Sequence, residues 1–328
     1  MRQAALATAL LLSILLGACG SGRAGSEPAS GRAGSRGPAR TQAGKLRFRA
    51  VGRLPSPVQL PAATALPDGR TLVLAGLSQA DTSTDGIALI DLSGASRAVG
   101  RLPAPRHDSA AATIAGRAYL IGGGDLTATT SILRIGEDGR TAGAGRLPVG
   151  ASDVAAASIG AQAYVVGGYT GSTPLRSILA FTPGRPVREV ATLPVPLRYA
   201  AVAAVGGRIL VAGGTSGTAA QRTIFRFDPG TRRVARIGQL PLGLTHAAGE
   251  SLGGRFYVIG GRGDLLDSAS AAVWSIDPSS GRVQRAGRLP AALSDVAAAS
   301  GLRGILVIGG RDRGGRVHDG ILRAEAPG

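Results

Sequence analysis

Hydrophobic residues in this chain fall in short clusters, without a helical rhythm. Between Leu193-Pro194 and Leu240-Pro241 an Ala/Val run (YAAVAAV, 199–205) meets the turn Gly206-Gly207, and an aliphatic run ending in two glycines (RILVAGG, 208–214) follows. A polar stretch (TSGTAAQ, 215–221) then leads into the alternating run TIFRFD (223–228). After the turn at Pro229-Gly230, a last run, RRVARIG (232–238), closes the unit. Runs this short, bounded by Gly and Pro, predict β-strands, four in this unit.

The unit recurs. Leu-Pro stands at Leu54-Pro55, Leu102-Pro103, Leu147-Pro148, Leu193-Pro194, Leu240-Pro241 and Leu289-Pro290, in steps of 48, 45, 46, 47 and 49 residues. In phase with it, aliphatic strands end at Gly123, Gly168, Gly214, Gly261 and Gly310, with a decayed copy, TLVLAG, ending at Gly76. Two markers in fixed phase over six copies predict an all-β, six-bladed β-propeller with four antiparallel strands per blade, spanning 46–328. The glycine pairs imply close backbone approach near the narrow centre, and the alanines of the first strands imply crowding there. The sixth unit lacks an outer strand after ILRAEA (321–326), while LRFRAV (46–51) precedes the first Leu-Pro as RRVARI does elsewhere. Strand 46–51 is therefore expected to close the last blade and remove an open edge.

The aliphatic-Gly-Gly strands and the turns Asp228-Pro229 and Asp277-Pro278 resemble kelch-repeat β-propellers, the group that includes the propeller of galactose oxidase and bacterial sialic acid mutarotases. The resemblance covers about 46 to 328. It departs from the usual kelch unit, which carries a Tyr and a Trp after the glycines: the third strands here hold Phe181, Phe225, Phe227 and Trp274 at most. Copper-radical oxidase chemistry, which the resemblance would otherwise admit, needs a Tyr–Cys cross-link, and the one Cys lies at position 19.

Composition adds location. Residues 1–18 carry one charge, Arg2, an apolar stretch from Ala4 to Leu16 and small residues before Cys19, which reads as a signal peptide. The segment Leu16-Gly17-Ala18-Cys19 resembles the lipobox of bacterial lipoproteins, implying cleavage before Cys19 and its acylation. Residues 19–45 are Gly-, Ser- and Arg-rich without apolar periodicity, the composition of a disordered linker. The expected location is the extracytoplasmic side of a membrane, with the membrane itself a partner through Cys19. The net charge of +17 comes almost wholly from arginine, Lys45 being the sole lysine. Export and the lack of an aromatic-basic platform argue against nucleic acid. With no zinc-site spacing, phosphate loop or dinucleotide fingerprint, no metal or cofactor is expected.

Candidate chemistry sits where the loops gather. Fourteen residues before the first glycine of each pair come Asp108, Asp153, Tyr199, His246 and Asp295 in units two to six, preceded by His107, Ser152, Arg198, Thr245 and Ser294. The repeat forces them into rings on one face, joined there by Tyr169, Arg262 and Arg311 from the loops after the glycines. The predicted ligand-binding set is Asp108, Asp153, Tyr169, Arg198, Tyr199, His246, Arg262, Asp295 and Arg311. Asp153 and Asp295, in identical SDVAAAS strings, equally suit acceptors of backbone N–H bonds in their turns. Tyr119, Tyr164 and Tyr257 share one strand position and read as core. Glu250, where other units have alanine, needs a partner, an arginine or the channel. Arg262-Gly263-Asp264 matches an adhesion tripeptide, a chance product of a Gly- and Arg-rich chain. The leading expectation is a non-enzymatic, lipid-anchored propeller of the cell envelope that binds a carbohydrate, peptide or protein through its loop face. The alternative is a carbohydrate-active enzyme, isomerase- or lyase-like, using His107, Arg198, Tyr199 and His246.

Overall fold

The structure is a computed structural model that describes residues 45–217 and 219–325. The signal peptide, Cys19 and the linker up to residue 44 lie outside the described residues. Six four-stranded antiparallel sheets form six blades, and no helix occurs among the described residues. In blade 4 the strands run Ala201–Val205, Arg208–Ala212, Thr223–Asp228 and Arg233–Gln239, from the innermost outward. Inner strands touch in cyclic order, that of blade 6 (Ala297–Gly301) meeting that of blade 1 (Ala62–Ala65), so the ring closes around an axis.

Hydrophobic packing lies between blades and not at the centre, because each sheet buries both faces against its neighbours. Tyr164, Val166 and Ile178 of blade 3 pack with Val202, Ile209 and Phe227 of blade 4, and each of the six seams has such a cluster. Tyr119 meets Phe181 edge-on across the blade 2–3 seam, with centroids 5.4 Å apart, and Tyr164 meets Phe227 at 5.5 Å across the next. Tyr257 is buried likewise, so the three repeat-matched tyrosines are core. All six leucines of the Leu-Pro markers are buried.

The last blade is closed by the N-terminal strand, Arg47–Arg53, paired antiparallel with Gly320–Glu325. The pairing begins one residue later than the expected 46–51 and extends to Arg53, with a bulge between Ala50 and Gly52. A bulge at the same place interrupts the third and outer strands of every other blade, where it adds local twist.

The glycine pairs act at the seams, a correction to the expectation of crowding at the axis. In blades 2 to 6 the second glycine donates its N–H to a carbonyl in the segment leading into the next blade, as Gly214 does to Leu244 at 2.9 Å. A Cβ on the preceding Gly213, which has φ of +67°, would sit 2.2 Å from that same oxygen. The seam of blades 1 and 2 departs from this pattern. Ala75 stands at the first-glycine position, and buried Arg106 occupies the linker position that is Leu197 or Leu244 elsewhere.

Candidate functional site

Two sets of loops meet on one face. In each blade the residue before the inner-strand entrance bridges the residue after the glycine pair: Gln59 with Leu77, His107 with Gly124, Ser152 with Tyr169, Arg198 with Thr215, Thr245 with Arg262 and Ser294 with Arg311. The next residues, Leu60, Asp108, Asp153, Tyr199, His246 and Asp295, all adopt left-handed backbone conformations with φ of 52 to 59°. Asp and His tolerate this region better than Leu and Tyr, for which it costs about 1–2 kcal/mol. Backbone bonds around the axis offset that cost. Leu60 N–H donates to Asp295 C=O, Asp295 to His246, His246 to Tyr199 and Tyr199 to Asp153, over 2.8 to 3.2 Å. The belt is interrupted on both sides of Asp108, beside the atypical seam.

Side chains complete what the backbone leaves open there. The Tyr199 O–H donates to Asp108 Oδ2 at 3.1 Å, and the Tyr199 ring stacks on His246 with centroids 3.6 Å apart. Arg198 Nε donates to Asp153, whose side chain is only 2% exposed, and the guanidinium lies 3.8 Å from the centre of the Tyr169 ring. Arg262 Nη2 lies 3.0 Å from His246 Nε2. A guanidinium can only donate, so Nε2 accepts and the proton sits on Nδ1, which donates to Thr245 Oγ1 at 3.1 Å. Ser294 Oγ donates to Asp295.

The electrostatics follow from burial. Asp108 is pushed well above the usual carboxylate range by burial and by its hydrogen-bonded neighbour Asp153. Its Oδ1 has no N–H or O–H donor. A proton on Asp108, donated to the Arg198-held Asp153, satisfies that orphaned oxygen and relieves the carboxyl–carboxyl repulsion together. His246 is held well below its ordinary value by burial, then by Arg262 and Arg198, and is neutral. Burial also lowers His107, whose Nδ1 lies 2.8 Å from Ser83 Oγ and whose Nε2 lies 3.5 Å from Asp108. Burial raises the Tyr199 phenol and Asp295.

Below this layer runs an axial channel, with a cavity of about 160 Å³. The six entrance residues form one end of it, and small residues such as Ala63, Ala111, Ala156, Gly249 and Ala298 line its wall. Deeper still, Ser300 Oγ donates to Glu250 at 2.7 Å and the Ser251 N–H donates to the same carboxylate oxygen. Neutral donors thus take the place of the anticipated arginine, and burial raises Glu250. Thr64 and Thr113 repeat the relation at the seam of blades 1 and 2, 2.9 Å apart.

Eight of the nine predicted binding residues meet in one connected layer or touch it: Asp108, Asp153, Tyr169, Arg198, Tyr199, His246, Arg262 and Asp295. Arg311 stands at the rim, 3.3 Å from Asp81. Asp153 and Asp295 bond side chains and not turn N–H groups; the acids that hold turns include Asp68, Asp91, Asp138, Asp228, Asp277 and Asp312. Arg262 of the adhesion-like tripeptide faces inward to His246. Sequence spacing missed Leu60, because the blade 1 hairpin (Leu66–Arg70) holds one more residue and shifts the count from the glycines. It also missed Asp81 as a partner, which no spacing rule marks; Thr245 stands in the second ring but outside the predicted binding set.

Residues 196–241 match the family model of the Kelch motif. Among solved structures, that of YjhT superposes with a TM-score of 0.71 at 16% sequence identity, over 84% of this chain and 99% of that one. That likeness shows a shared fold. No curated protein matches the chain. The molecule is a six-bladed β-propeller, one of whose repeats matches the Kelch motif.

Proposed function

We propose that this protein is a non-enzymatic binding propeller, held at a membrane through acylated Cys19, that receives a peptide or protein partner on its loop face. The observation that carries the reading is the rim of that face. Leu126, Val149, Val195, Leu242, Leu265 and Leu266 are exposed there, six of the seven exposed large aliphatic side chains among the described residues. They crown a floor of polar groups that are bonded to one another. Exposed aliphatics gathered on one face favour a polypeptide over a saccharide as the occupant.

The polar floor supports binding over turnover. His246 Nε2 is occupied by Arg262, Arg198 by Asp153 and the Tyr199 hydroxyl by Asp108. A general base needs a free lone pair within reach of substrate: that of His246 Nε2 is taken by Arg262, Arg198 has none to offer, and the Tyr199 proton is held by Asp108.

A thermal-shift screen of peptides against saccharides tests the reading, with Leu265→Ser/Leu266→Ser and Arg198→Ala/His246→Ala as controls. Saturation at a hundredfold over Kd stabilises by about 2.7 kcal/mol. Peptide shifts lost in the leucine variant support it. Saccharide shifts lost only in the Arg198/His246 variant would replace it with the carbohydrate-active alternative. The anchor is checked separately: metabolic labelling with tritiated palmitate should mark the wild-type chain and not Cys19→Ser.

A further inference from the structure

The face opposite the loops has a different electrostatic character. It is made by the inner hairpins, such as Ala115-Gly116 and Gly206-Gly207, and by the turns between third and outer strands, such as Asp91–Ala95 and Asp277–Arg282. Its acids are consumed. Asp68 and Glu137 pair with Arg70, Asp138 with Arg140, Asp228 with Arg208, Asp277 with Arg255 and Glu325 with Arg49. Asp91 is bound up in its own turn by Ser93, Gly94 and Ala95, and Glu189, beside Arg188, accepts from the Thr192 hydroxyl.

Its cations are in surplus. Arg117, Arg185, Arg188, Arg232, Arg233 and Arg282 are exposed and have no carboxylate within ion-pair distance among the described residues. A depression of about 570 Å³ between blades 1 and 2 on this face is walled by Arg117, Arg134 and Arg140 and by Glu137 and Asp138, whose carboxylates pair with Arg70 and Arg140. Beside Arg303 stands Leu302, 73% exposed, the one large aliphatic outside the loop face that projects into solvent. The loop face, by contrast, sets more acids among its arginines: Asp81, Asp85, Asp125, Asp264, Asp267 and Asp312 at its loops, with Asp319 paired to Arg53.

The chain enters the fold on this same cationic face. Leu46 bonds Ala286 and Arg47 pairs with Glu325, where other blades have their third-to-outer turns, so Lys45 and the preceding segment join here. We infer that the turn face is a docking surface for an anionic phospholipid bilayer, which orients the propeller with its loop face directed away from the lipid. Charge complementarity and the chain's point of entry select this occupant. Acylation of Cys19 would add to the contact, but the inference does not depend on it.

Sedimentation of the mature chain, residues 19–328 carrying Cys19→Ser, with phosphatidylcholine vesicles containing or lacking 30% phosphatidylglycerol, tests it. Binding should require the anionic lipid and disappear at high salt. Each arginine at an anionic surface contributes about fivefold in affinity, so Arg117→Gln/Arg232→Gln/Arg282→Gln should weaken binding about a hundredfold. Arg146→Gln/Arg176→Gln/Arg288→Gln removes the same charge from the loop side and should leave binding within a few-fold. Equal losses in the two triple variants would mean attraction by net charge without a docking face. Absence of binding to the anionic vesicles would also overturn the inference, while leaving acyl anchoring intact. Circular dichroism of both variants excludes misfolding as the cause.

Discussion

The Tyr199 hydroxyl of blade 4 donates to the Asp108 carboxyl of blade 2 at 3.1 Å, tying two blades that are not neighbours in the ring. The bond spans the gap where the backbone belt is broken, and it puts a phenol, an imidazole and two carboxyls into one layer at the channel end. Tyr199, Arg198 and Asp108 take partners from other blades, so this part of the layer depends on the ring being closed.

Asp108 gives the first test. Its proton is bound more tightly in the folded than in the unfolded chain, so this group's contribution lowers stability as pH rises from the ordinary carboxylate range through its raised folded value. Asp108→Asn, which mimics the protonated acid, should raise Tm relative to wild type at pH 7 to 8 and converge with it near pH 3. Tyr199→Phe should cost about 1–3 kcal/mol by urea unfolding, because it strips a donor from a buried carboxyl. A wild-type-like pH profile for Asp108→Asn would contradict the assigned proton.

Arg198 and Asp153 should behave as a unit. Arg198→Met leaves a buried carboxylate uncompensated and removes the stack on Tyr169, a loss of about 3–5 kcal/mol. Adding Asp153→Asn should recover most of it. Additive losses in the double-mutant cycle would show that the pair is not coupled.

The glycine pairs separate packing from backbone strain. Gly213→Ala forces a Cβ against the Leu244 carbonyl and should unfold or severely destabilise the chain, whereas Gly206→Ala meets open space at φ of +56°. Only the left-handed cost of about 1–2 kcal/mol applies to the second. Chemical denaturation of the two variants should differ by several kcal/mol, and similar losses would mean that the seam can relax.

Blade closure is tested by deleting 46–53, which exposes the edge of Gly320–Glu325 and removes Leu46 and Phe48 from one seam and Val51 from the next. The melting transition should fall by well over ten degrees and broaden. An unchanged transition would show that the fold does not need its closing strand.

The sequence by itself determined the number of blades, the strands, the closing segment and the face on which the candidate residues lie. Those features are set by spacing along the chain, which the Leu-Pro and Gly-Gly markers record directly. What each candidate does was decided by the tertiary structure. Arg198 and Asp153 are 45 residues apart and Tyr199 and Asp108 are 91 apart, so no local pattern links them. The raised Asp108 carboxyl arises from desolvation and from Asp153 and Tyr199 of other blades, Glu250 borrows Ser300 from the next blade, and the Nδ1–H tautomer of His246 is set by Arg262 and Thr245 within its own blade. Leu60 was hidden by a single extra residue in a hairpin, and the cationic turn face by the fact that an arginine's ion pairing is invisible in a list of arginines. Periodicity survives in one dimension, while burial and partnership exist only in three.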